Sequence, residues 1–314
     1  MNKTLILLLS CFLISLAGFS QIGMKRIDDG ILFTEGKNKI AFYKKDASGM
    51  NLDKGRSNYF HPLYLPDGTE ITEDAPADHL HHRGLFWAWH RVLINGRAIG
   101  DGWELKDFIQ DVKGVEFFRL SESEGVFKTI VEWKSPVYEN GNKAFMEERA
   151  TINFYAQKNN FRIIQFSIQL KALVDGLQLG GSDDEKGYGG FSVRMKLPED
   201  VRFSSSNGLL EPTNEALEAD DYVNISGSLA KKSGPGGVLI YSANDFETAD
   251  KWILRRKNSM QNAVFPGREP VAVSVTEPTV LKYAVVLYSG EIKEHRIMKE
   301  LGKLKWDADP FKGI

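Results

Sequence analysis

The sequence predicts an all-β protein, a large antiparallel β-sandwich closed by a short C-terminal helix. Three observations lead there. Apolar and polar residues alternate with a period of two over long stretches, and these stretches recur at roughly ten-residue spacing. The alternating strand–helix pattern of a doubly wound nucleotide-binding fold is missing. Helical periodicity is confined to the end of the chain.

In chain order, Lys3, the apolar run from Leu5 through Leu16 and the small-residue stretch Ala17-Gly18-Phe19-Ser20 read as a secretory signal peptide over residues 1–20. Residues 21–314 then form a single exported β-sandwich domain, periplasmic or secreted. Cys11 is the one cysteine, so the mature chain has no disulfide. Leu8-Leu9-Ser10-Cys11 offers a lipoprotein alternative, against which the apolar run continues past Cys11. Strands are expected over Ile31–Thr34, Ile40–Tyr43 and Val126–Trp133, the last entering a turn at Asn140-Gly141. A pair follows at Glu147–Tyr155 and Phe161–Leu170, joined by Lys158-Asn159-Asn160. Phe191–Leu197, Gly237–Tyr241, Ala272–Val275 and Val280–Tyr288 complete the strand set, and Asn95-Gly96 marks another turn. From Glu291, an apolar stripe of Ile292, His295, Ile297, Met298 and Leu301 ends at Gly302 as a helix.

Composition excludes several classes. The 314 residues carry 40 Lys+Arg against 42 Asp+Glu, a formal charge of −2, which leaves no polybasic footprint for a nucleic acid. With 42% hydrophobic residues the chain can bury a full core. No stretch after the signal approaches the ~18 apolar residues of a membrane span.

The chemistry concentrates in Pro76-Ala77-Asp78-His79-Leu80-His81-His82-Arg83-Gly84-Leu85-Phe86-Trp87-Ala88-Trp89-His90, with His61 upstream; five of the six histidines lie here. Imidazole gives and takes a proton near neutral pH and is the commonest metal ligand. Strand parity puts Arg83, Leu85, Trp87 and Trp89 on one face and His82, Phe86 and His90 on the other. Two indoles beside a guanidinium then suggest a platform for a ring-shaped polar ligand, with Trp103 folding back beside it. A glycine-rich loop, Leu179 to Phe191, brings Tyr188 and leads to Arg194. The basic run Trp252 to Asn258 offers Arg255 to an anion. Glu104, Glu147, Glu148 and Asp183 stand unranked as acid or base. Asp78, His79 and His81 are candidate ligands for a divalent metal, although no His-Glu-x-x-His signature is present.

The stretch Asp78-His79-Leu80-His81-His82-Arg83-Gly84-Leu85 resembles the Asp-His-Pro-His-His-Arg-Gly-Leu signature of a PmoA-like bacterial family of unknown function, with Leu80 in place of proline. The resemblance extends to Tyr59-Phe60-His61-Pro62, Pro66-Asp67-Gly68, Gly187-Tyr188-Gly189-Gly190-Phe191, Arg194, Trp252 and Arg255. It implies a galactose-mutarotase-like supersandwich associated with carbohydrate use.

The expectation is an exported carbohydrate-active enzyme acting on an oligosaccharide, with a uronic-acid-containing one in view. Elimination, dehydration, epimerisation and hydrolysis all fit its acid–base chemistry. His81, His82, Arg83 and Tyr188 form the catalytic set; His61, Trp87, Trp89, Trp103, Arg194 and Arg255 hold substrate. No cofactor is required. The alternatives are a non-catalytic glycan-binding module and a metal-dependent enzyme.

Overall fold

The computed structural model describes residues 21–47, 55–232, 234–257 and 260–306. The expected signal peptide, with Cys11, lies outside the described residues. Two nine-stranded antiparallel sheets dominate. The first runs, in spatial order, β1 (Ile22–Ile27), β2 (Gly30–Glu35), β3 (Asn38–Lys44), β4 (Tyr59–Leu63), β5 (Leu85–Trp89), β13 (Gly189–Arg194), β20 (Met260–Val264), β19 (Lys251–Ile253) and β16 (Leu217–Glu218). The second runs β15 (Gly208–Leu210), β14 (Arg202–Ser205), β17 (Tyr222–Ala230), β18 (Gly234–Ser242), β22 (Thr279–Ser289), β11 (Phe161–Ala172), β10 (Met146–Tyr155), β9 (Glu124–Lys134) and β8 (Ile109–Arg119). A third, four-stranded sheet orders β21 (Val271–Ala272), β12 (Leu177–Gly180), β6 (Arg91–Ile94) and β7 (Arg97–Gly100). The helix α1 spans Glu294–Leu301, with Gly302 as its C-cap. Among the described residues no helix is long and apolar enough to cross a membrane.

The main core lies between the two large sheets. Period-two alternation supplies it: Phe127, Val131 and Trp133 from β9, Ile152 and Phe154 from β10, and Phe166 and Ile168 from β11 meet Phe33, Phe60, Trp87 and Phe191 of the first sheet. Phe33 and Phe154 stack at 4.3 Å, and Phe191 and Tyr283 at 4.5 Å. The expected paired strands are observed with Ile152 opposite Phe166, joined at Asn159 in the left-handed region. Asn95-Gly96, both at positive φ, turns β6 into β7.

The structure differs from the expected faces of β5 and α1. Trp87 and Trp89 are 1% and 0% exposed; their parity was right, but the face they share is the inter-sheet core. The Trp89 indole N–H donates to the Phe265 carbonyl at 2.7 Å, and Trp89 packs on Trp133 at 5.6 Å. Neither indole is open to a sugar. His295 is exposed, and α1 buries Ile297 and Leu301 instead.

Candidate functional site

The outward face of the first sheet carries a second, smaller apolar cluster: Tyr59, Phe86, Ala88, Trp103 and Met260, with Tyr188 packed against it. The alternation that sends Trp87 and Trp89 inward sends Phe86, Ala88 and His90 outward. The candidate site sits on this floor.

Two successive tight turns hold the histidine segment. The His79 N–H donates to the Pro76 carbonyl at 2.9 Å, and the His82 N–H to the His79 carbonyl at 3.0 Å. The Ala75 N–H closes the loop on the His82 carbonyl at 2.9 Å. Leu80 sits within the second turn, 49% exposed. Gly84 is required by close approach, since a Cβ there would lie 2.1 Å from the Phe60 carbonyl oxygen. The three rings converge: His79 stacks on His82 at 4.4 Å with planes 2° apart, and His81 meets His82 edge-on at 4.6 Å.

Arg194, at the end of β13, organises this cluster. Its Nε donates to Glu73 at 2.8 Å, its Nη2 to both Asp78 oxygens at 3.1 Å, and its Nη1 to His82 Nδ1 at 3.1 Å. A guanidinium cannot accept, so His82 Nδ1 is the acceptor and the ring carries its proton on Nε2. Burial, then the repulsion of His81, His79 and Arg194, pushes the His82 pKa down to about 2. His82 is therefore a neutral N–H donor at pH 7. Asp78 also accepts from His79 Nδ1 at 3.0 Å, and this bond, ahead of Arg194, brings its carboxyl down to about 2. Arg83, 2% exposed, donates to Asp74 at 3.3 Å, which also receives the Tyr59 hydroxyl at 3.1 Å. His61 lies on β4 with Nδ1 2.9 Å from Thr72 Oγ1, its pKa lowered by burial.

A second imidazole–carboxylate unit stands beside the first. His90 Nδ1 lies 2.9 Å from Asp101 Oδ2. The other Asp101 oxygen accepts the Trp103 and Glu104 N–H groups, both at 2.8 Å, so one carboxylate fixes both the loop and the ring. Trp103 joins the two units: His90 stacks on its indole at 5.3 Å, His82 meets it edge-on at 6.3 Å and Tyr188 lies at 5.4 Å. Tyr188 is placed by an acidic turn in which Asp184 accepts from Ser182 Oγ at 2.6 Å and from the Lys186 and Gly187 N–H groups at 3.0 and 3.2 Å. Gly187, at φ +67°, permits that turn. Arg255 lies over the Tyr188 ring at 5.5 Å, and burial keeps the phenol pKa raised, so Tyr188 is protonated at neutral pH.

The structure thus gathers His61, His79, His81, His82, Arg83, Trp103, Tyr188, Arg194 and Arg255 on one side of the first sheet and removes Trp87 and Trp89. Trp103, 3% exposed and flanked by His90 and Tyr188, is a wedge between reactive groups instead of an open stacking face. Arg194 is 3% exposed, and its guanidinium is engaged by Glu73, Asp78 and His82. Among the described residues no group of three or more His, Cys, Asp or Glu is arranged to hold a metal ion; the Asp78 oxygens are spent on Arg194 and His79. Of the unranked carboxylates, Glu104 is exposed, Glu147 pairs with Arg149 at 2.8 Å, Asp183 with Arg268 at 3.0 Å, and Glu148 is buried between the sheets. The carboxylates bonded to the cluster are Glu73, Asp74, Asp78 and Asp101. The sequence signal for the first three was their spacing just ahead of the histidines. Grooves of about 360 and 590 Å³ lie on the far face of the second sheet, at Phe118, Gln165 and Trp306 and at Tyr155 and Lys303, without a histidine cluster.

The fold and this face define an all-β sandwich protein with a histidine–arginine–carboxylate site on the outer surface of one sheet. The chain belongs to a family of unknown function, DUF6807, which matches residues 31–301. No curated protein matches it. Among solved structures it is similar to a heparan sulfate lyase HepC mutant from Pedobacter heparinus, with a TM-score of 0.42 and 12% identity over 86% of this chain. The match covers 37% of that longer chain.

Proposed function

We propose that the protein is an exported carbohydrate-active enzyme that acts on an oligosaccharide by imidazole and phenol acid–base chemistry. The observation that carries this reading is the meeting of His90–Asp101, His82–Arg194 and Tyr188 on the single indole of Trp103. Three groups with different proton duties around one wedge are more than a binding surface needs, and Trp87, Trp89 and Trp103, the expected stacking residues, are buried.

Each group has a role set by its surroundings. Donation of Nδ1–H to Asp101 leaves His90 Nε2 as an acceptor, the form of a general base. His82 keeps Nε2–H while neutral, so it donates to an oxygen on which negative charge develops. Tyr188 retains its proton and returns it as the acid. The nearby carboxylates are engaged, Glu73 and Asp78 by Arg194, Asp74 by Arg83 and Asp101 by His90. Hydrolysis by two apposed, free carboxylates is therefore less suited to the site than proton abstraction leading to elimination, dehydration or epimerisation.

The test is a mass-spectrometric screen of the purified protein against defined acidic and neutral oligosaccharides. Elimination within a chain splits it into two products whose masses sum to that of the substrate; dehydration removes one water and epimerisation changes retention alone. Binding without any such change would return the site to a glycan-binding role.

A further inference from the structure

At the edge of the imidazole cluster lies a buried cation that makes no ion pair among the described residues. Arg56 is 3% exposed and was not singled out by the sequence. Its Nη2 donates to the carbonyls of Gly102 and Trp103 at 2.7 and 3.0 Å, and its guanidinium lies 4.4 Å over the Phe86 ring. Its Nε and Nη1 are buried and donate to no acceptor among the described residues. The other buried arginines of the first sheet's outer face are neutralised: Arg83 by Asp74, and Arg194 by Glu73 and Asp78. Even Arg162, at the far side of the molecule, has Glu35. Arg56 makes no ion pair among the described residues, and the repulsion of Arg83 is the strongest charge it feels, ahead of the attraction of Asp101 and Asp74.

A buried charge without a partner is costly, and open N–H donors beside it add to the cost. Burial and Arg83 bring the Arg56 pKa to about 9, which still leaves it charged at neutral pH. Lysine or an apolar residue would fill the space more cheaply; a guanidinium offers hydrogen-bond donors in fixed directions.

We infer that Arg56 receives the carboxylate of an acidic sugar, a uronate, at the site described above. The inference rests on the carbohydrate reading and names its substrate class. Two carbonyls hold Nη2, so the carboxylate takes the unpartnered Nη1 donors and supplies the missing charge. Because one of those carbonyls belongs to Trp103, a carboxylate on Arg56 sets the sugar against the residue on which His90, His82 and Tyr188 converge.

The experiment is equilibrium binding, followed by intrinsic tryptophan fluorescence, of glucuronate, galacturonate, glucose and glucose 6-sulfate. The proteins are the full chain and its Arg56→Met and Arg56→Lys variants, each checked for cooperative thermal unfolding. Wild type is expected to bind at least one uronate tenfold or more tighter than glucose. Arg56→Met should lose that preference, and Arg56→Lys should keep the charge yet weaken uronate binding several-fold. If Arg56→Met fails to fold, Arg56→Lys decides alone. Uronate bound no better than glucose, a preference for the sulfate, or an unchanged preference in the folded variants overturns the inference. Uronate binding through Arg56 without turnover of any oligosaccharide would defeat the catalytic reading while this one stands. Equal turnover of acidic and carboxyl-reduced oligosaccharides would do the reverse.

Discussion

Arg194 Nη1 donates to His82 Nδ1 at 3.1 Å, and this hydrogen bond fixes the tautomer of the most buried histidine in the cluster, which burial first of all holds neutral. A histidine held this way is neutral near pH 7 and carries its one proton on Nε2. His82→Ala should lower kcat/KM by about 10²–10³, the usual loss for one donor to a developing oxyanion. His82→Gln, whose amide also donates, should recover part of that loss. Equal loss in both variants, with a pH profile that shifts in both, would return His82 to the role of proton carrier.

Removing the partner tests the same bond from the other side. Arg194→Met should raise the His82 pKa, because one positive neighbour disappears and Nδ1 becomes free to take a proton. Imidazole NMR shifts over a pH series would follow this. A His82 that still fails to titrate above pH 4 in the folded variant would show that burial alone holds it neutral.

Trp87→Ala and Trp89→Ala should each cost about 3–5 kcal/mol, the range for emptying a large buried aromatic site. Urea unfolding reads the cost, and ligand affinity in the remaining folded fraction should stay near wild type. A folded, equally stable variant with lost affinity would place an indole at the ligand after all.

Glu148 gives a pH dependence of definite sign. It accepts the Asn58 amide N–H at 2.7 Å and the Trp133 indole N–H at 2.9 Å, yet complete burial pushes its carboxyl from 4.5 up to about 7. Below the unfolded value both states are protonated and Glu148 contributes nothing; above it the unfolded chain releases the proton first. Stability is therefore lost as pH rises from about 4.5 to about 7, by about 3 kcal/mol in all. His82 acts oppositely, since its depressed folded pKa makes stability fall as pH drops below 6.5. Glu148→Gln should lose stability overall, because one acceptor becomes a donor, but the gap to wild type should narrow between pH 5 and pH 8. A gap independent of pH would contradict the buried-charge account.

The sequence conveyed the sandwich because β9 and β10 are long strands whose alternation records one buried and one outer face. Short strands such as β16, β19 and β21, of two or three residues, leave no such record, and their pairing is set by the neighbours they meet. The histidine cluster was legible as composition, and the parity of Trp87, Trp89 and His90 was legible as pattern. Which face was core was not: a nine-stranded sheet carries apolar residues on both sides of β5, so Phe86 and Ala88 look no more outward than Trp87. Arg56 was invisible because its meaning lies in what fails to surround it, and Asp101 because its partner His90 is eleven residues away across a turn.

The central claim is that His90, oriented by Asp101, takes a proton from a sugar at this face. The most direct measurement is turnover of an oligosaccharide substrate by His90→Asn and Asp101→Asn, beside wild type, with unfolding curves confirming that each variant is folded. The account predicts a loss of about 10²–10⁴ for His90→Asn, the range of general acid–base help, and a smaller loss for Asp101→Asn. Turnover by folded His90→Asn within threefold of wild type would contradict it.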